Sequence, residues 1–137
     1  MRTRWSVAAL GLVLVAAAGC GVPPSAAAAA AEAVALLRAH QRGDGQAMCA
    51  LLAPDTAAEL ARSSGTNCAD AVGDEDLPDP GAVTDVTVDG QWAKVVIAAA
   101  DDDGTVFLAT FPGGWRVVAA GCRSRGERPY DCTVNGG

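Results

Sequence analysis

One histidine, His40, is all that the sequence offers for imidazole acid–base chemistry near neutral pH. There is no CxxC pair, no histidine cluster, no phosphate-binding glycine loop and no Gly-x-Ser-x-Gly elbow. These absences exclude the zinc-ribbon, P-loop and serine-hydrolase classes that announce themselves by spacing. Positive charge is also scarce, with ten lysines and arginines against sixteen aspartates and glutamates and Lys94 the single lysine. Nucleic-acid partners are therefore not expected, because their affinity comes largely from basic groups that neutralise phosphates. The apolar run Val7 to Ala18 has twelve residues, whereas crossing the hydrocarbon layer takes about 20.

What is there begins with that same run. Arg2 and Arg4 precede it and small residues follow, the outline of a secretory signal peptide. Ala17-Ala18-Gly19-Cys20 resembles a bacterial lipobox, in which the cysteine is diacylated, palmitate being a typical chain, before cleavage. Ala17 stands where that pattern usually has leucine, and the competing reading is ordinary cleavage nearby with Cys20 left as a free thiol. The cysteine count opposes it: five are present, and an odd one in an exported chain needs a separate fate. With Cys20 lipidated, Cys49, Cys68, Cys122 and Cys132 can form two disulfides. Four cysteines allow three pairings; sequence neighbours, Cys49 with Cys68 and Cys122 with Cys132, are expected because each pair lies in one half of the chain.

The expected organisation is thus a signal peptide over residues 1–19, a short lipid-anchored linker over 20–25, and one α+β domain over 26–137. Loss of Arg2 and Arg4 leaves eight basic residues against sixteen acidic ones, a formal charge of −8. That charge favours solubility and opposes lying flat on an anionic bilayer. After Gly21-Val22-Pro23-Pro24, Ser25 caps a helix that runs through the alanines to His40, and Gly43 and Gly45 end it. Gln46 to Leu52 reads as a second helix. Thr56-Ala57-Ala58-Glu59 has capping-box spacing for a third, closed by Gly65, and residues 67–72 add a turn. Asp74 to Gly81 is a loop between halves.

Beyond it the period changes to two. Four strands are expected, over 84–88, 92–99, 105–111 and 115–120, joined at Asp89-Gly90, Asp102-Asp103-Gly104 and Pro112-Gly113-Gly114. Helices first and a meander second make an α+β fold, helices packed on a curved four-stranded antiparallel sheet. With Gln91-Trp92-Ala93-Lys94-Val95-Val96 and Gly113-Gly114-Trp115-Arg116-Val117, this pattern resembles the cystatin-like roll of the nuclear transport factor two superfamily. Cys49-Ala50-Leu51-Leu52-Ala53-Pro54, Gly121-Cys122 and Arg128-Pro129-Tyr130-Asp131-Cys132 are similar to small actinobacterial lipoproteins of that type. The resemblance implies a fold and not a chemistry, since the superfamily includes enzymes, carriers and interaction modules.

His40, at a helix end, is expected to be a solvated residue favoured by the helix dipole. The acids at Asp70 to Asp79 and Asp101 to Asp103 lack the alternation of a calcium loop, so no metal and no cofactor are expected. Trp92, Phe107, Phe111 and Trp115 are read as core, with a small apolar pocket between helices and sheet as the alternative. Arg116, Arg123, Arg125 and Arg128 are read as compensating the acids. Asp85 and Glu59 are the carboxylates that burial would make interesting.

The functional expectation is a lipid-anchored, extracytoplasmic, non-catalytic accessory or partner-binding module on the outer face of the cell membrane. Its partner would be an envelope protein, not nucleic acid. The alternatives are a carrier of a small apolar ligand and an enzyme of the polyketide-cyclase-like branch. The anchor gives the first prediction. Two buried acyl chains hold a protein stably where one is marginal, at about 0.8 kcal/mol per methylene, so Cys20→Ser should move the protein from the membrane fraction to the supernatant on cell fractionation. Unchanged membrane retention would refute the anchor.

Overall fold

The computed structural model describes residues 25–136; Cys20 and the proposed signal segment lie outside them. Four helices come first: α1 (Ala26–Gln41), α2 (Gly45–Leu51), α3 (Pro54–Ser64) and α4 (Cys68–Gly73). Five strands follow, β1 (Val83–Asp89), β2 (Trp92–Ile97), β3 (Thr105–Phe111), β4 (Gly114–Arg125) and β5 (Arg128–Asn135). All pairs are antiparallel, in the order β1-β2-β3-β4-β5. The α+β class is as expected, but the sheet has five strands rather than four. β5 escapes the alternation test because it is a polar, mostly exposed edge strand, and its Pro129 is tolerated where one edge needs no donor. β4 continues past Ala120 because Gly121, at φ +64°, lets the chain turn locally without leaving the ladder.

Local signals place most helix ends. The Ser25 hydroxyl accepts from the Ala28 amide, Asp44 and Asn67 cap α2 and α4 in the same way, and Gly65 closes α3 in the left-handed region at φ +70°. Thr56 is different. It does not open α3, which starts at Pro54 with Ala53 at the cap and no side-chain cap bond. Proline fits a first helical position because the missing amide hydrogen would be unbonded there anyway. The Thr56 hydroxyl instead donates to the Val118 carbonyl, 62 residues away. The β1–β2 turn also shifts by one residue: Asp89 pairs with Trp92, so the two loop residues are Gly90 and Gln91.

On α1 the positions Ala29, Ala33, Leu36 and Leu37 form one buried stripe, and the two alanines let the helix approach the sheet closely. The stripe packs with Met48, Val72, Val95, Leu108 and Val117 into one cluster between helices and sheet. Each such fully buried side chain contributes roughly 1.5–3 kcal/mol. On β2 the sheet residues of this cluster are Ala93, Val95 and Ile97, and on β3 Val106 and Leu108. Their sequence neighbours therefore point to the other face, away from α1.

Both expected disulfides are present, Cys49–Cys68 joining α2 to α4 and Cys122–Cys132 across β4 and β5. Each staples one half; neither crosses between halves. Replacing both Cys49 and Cys68 by alanine should lower stability by about 3 kcal/mol on the chain-entropy estimate for a loop of this length. Urea unfolding under non-reducing conditions measures it, and a loss under about 1 kcal/mol would mean the α2–α4 packing holds without the bond.

Candidate functional site

The expectation that Trp92, Phe107, Phe111 and Trp115 form core holds for one of the four. Trp115 is 3% exposed and belongs to the helix-facing cluster, with its indole Nε1 lacking a hydrogen-bond partner. Trp92 is 61% exposed and Phe111 37%. The pleat explains the split. Trp92 precedes the inward Ala93, and Phe107 and Phe111 alternate with the inward Val106 and Leu108, so all three rings stand on the face turned away from α1. β3 is apolar on both faces, which hides this division in the sequence.

Pairing brings these rings together. Trp92 lies directly across from Ala109, and Phe107 and Phe111 flank Ala109 two residues to either side. Ala109 is buried yet lies outside the helix-facing cluster, so its cover comes from the outer face. Tyr130 from β5 sets its ring edge-on to Phe107 with centroids 5.0 Å apart. The result is a row of aromatic side chains from three strands, with a small floor residue between two of them.

A groove of about 580 Å³ opens on this row. Trp92, Phe107, Ala109 and Phe111 line it on the sheet side; Asp55 and Thr56 from α3, Gln91 from the first hairpin turn and Asn135 from β5 add polar groups. A second depression, of about 550 Å³, begins beyond Tyr130 and is lined by Thr105, Arg123, Asp101 and Asp102. The last of these has φ +55°, a conformation that aspartate tolerates in turns.

The charged residues singled out by sequence go elsewhere. His40 is half-buried at the end of α1 and forms no ion pair among the described residues. Asp85 is exposed and pairs with Lys94 at 3.8 Å; Glu59 pairs with Arg62 along α3. The four C-terminal arginines were expected to compensate acids, yet no salt bridge involves them among the described residues. Arg123 faces Asp131 in the β4–β5 register, and Arg116 sits at the β4 position paired with Ala109. Asp70 and Asp74 border a polar depression between the α1–α2 turn and α4, with Asp44 and Asn67. Close by, burial and then the charge of Asp74 raise the Glu75 carboxyl above its ordinary pKa. Ionising Glu75 therefore costs stability as pH rises through that raised value. No group of three or more potential metal-ligating side chains comes together among the described residues, and no described helix is long and apolar enough to cross a membrane.

No match was found among family models, curated proteins or solved structures. The functional reading therefore rests on this chain's own surface. Of the three tryptophans, Trp92 and Trp115 make the division of faces measurable. Trp115→Ala should cost about 3–5 kcal/mol in urea unfolding, as for a fully buried ring, whereas Trp92→Ala should stay within about 0.5 kcal/mol. Equal losses would mean that Trp92 is a structural residue.

Proposed function

We propose that the protein is a lipid-anchored, non-catalytic recognition module held through Cys20 on the outer face of the cytoplasmic membrane, and that it contacts its partner with the face of its sheet turned away from α1. One observation carries this reading: the exposed aromatic side chains, Trp92, Phe111 and Tyr130, gather on one face, and the other exposed large apolar residue, Val83, stands apart on the edge strand β1. Exposed apolar groups scattered singly are ordinary, but a contiguous set rimmed by polar residues marks a contact surface. Tyrosine and tryptophan are also the residues that dominate contact energetics.

The packed cluster between helices and sheet favours recognition at the surface over a carrier with an internal pocket. The positions of His40, Asp85 and Glu59, apart from one another and outside the aromatic groove, favour binding over acid–base catalysis, which needs convergent groups. A helix-covered meander with a long, bulged fourth strand is consistent with a cystatin-like roll of the nuclear transport factor two type. We carry that assignment as part of the proposal.

Oxidation of tryptophan by N-bromosuccinimide, read by mass spectrometry, tests the face directly. In purified protein Trp92 should react quickly and Trp115 slowly. On intact envelopes Trp92 should be protected at least severalfold while Trp115 is unchanged. Equal Trp92 reactivity in the two settings would remove this face as the contact surface.

A further inference from the structure

The groove on the face turned away from α1 has a volume of about 580 Å³, in the range of ligand sites, roughly 300–1,000 Å³. Its chemistry is two-sided. Phe107 and Phe111, four residues apart on one strand, stand roughly 13 Å from each other, with Ala109 as floor and Trp92 alongside. The rim carries the side-chain amides of Gln91 and Asn135. Such a groove suits a ligand with apolar faces and hydrogen-bonding edges.

Charge narrows the class further. Among the described residues Asp55 is the only ionisable one lining the groove; Arg116 lies outside that lining, at the β4 position across from Ala109. An anionic ligand would meet Asp55 and a domain of net negative charge; a nucleotide, although its base would stack on the same rings, brings phosphates. An organic cation would have a single carboxylate to pair with and Arg116 close by. From aromatic rings rimmed by amides and one carboxylate, with no basic group in the lining, we infer that the groove binds the sugar rings of an uncharged glycan. The C–H faces of a pyranose stack on Trp92 and the phenylalanines, and its hydroxyls exchange hydrogen bonds with Gln91, Asn135 and Asp55. The Phe107–Tyr130 pair separates this groove from the Arg123 depression, so a polymer chain can continue across the sheet from one to the other.

The inference rests on this face of the sheet being the contact surface, and its test is separate. The full chain in detergent micelles is titrated with neutral hexaoses of glucose, mannose, arabinose and N-acetylglucosamine, and tryptophan emission is followed. At least one hexaose should give a saturable change, weakened about tenfold or more by Trp92→Ala, as expected for truncating a central aromatic contact. Ala109→Leu, which fills the floor, should weaken it similarly with an unchanged melting temperature; Phe111→Ala serves where that variant melts early. Saturation by none of the four, or equal affinity in Trp92→Ala, overturns the proposal. So does tighter binding of polygalacturonate that fades with salt, of a proline-rich octapeptide, or self-association lost in Trp92→Ala. Protection of Trp92 on envelopes without glycan binding in solution would overturn the glycan and leave the contact surface standing.

Discussion

Among the described residues, the hydrogen bonds that tie the helical half to the sheet converge on the bulged middle of β4. Register shifts leave Val118 without a partner in either neighbouring strand. The chain entering α3 fills that gap: the Ala53 amide donates to the Val117 carbonyl, Leu52 bridges to Val117, and the Thr56 hydroxyl donates to the Val118 carbonyl. A buried backbone acceptor left without a donor costs about 1–3 kcal/mol. The bulge therefore creates a demand for donors, and the helix entry meets it. The same bulges redirect side chains, so that Ala120 faces the helices while Ala119 joins the outer layer under the aromatic row.

This dependence explains what the sequence could and could not reveal. Caps are local, and Ser25 and Gly65 were legible because each satisfies its own helix. Thr56 misled because its spacing from Glu59 fits a capping box, while a partner 62 residues away claimed the hydroxyl. β5 had no local signature, since an exposed edge strand buries little and need not alternate. Its register is fixed by β4 and the Cys122–Cys132 bond, neither of which a local pattern encodes.

The candidate site was legible only in part. Its aromatic residues stood out, but their assignment to core failed because a strand apolar on both faces gives no hint of which face the helices choose. One clue was available: Ala93, Val95 and Ile97 repeat on β2, so Trp92 belongs to the opposite face once those three are read as core. Ala109, Gln91, Asp55 and Asn135 gave no signal, being ordinary residues drawn together from separate elements by pairing. The odd cysteine, by contrast, was arithmetic, and the neighbour pairing of the other four required no knowledge of the fold.

Both disulfides close loops within a half, separated in sequence by 19 and 10 residues, and this has a mechanical meaning. Were the chain tethered through Cys20 and held by a ligand on the sheet, as proposed, tension would enter along α1 and leave through β2 and β3. No disulfide among the described residues spans that path. The load would fall on the packing of α1 against the sheet and on the few hydrogen bonds at β4, so the two layers would shear apart while each stayed stapled. Such a joint would give way without breaking a covalent bond.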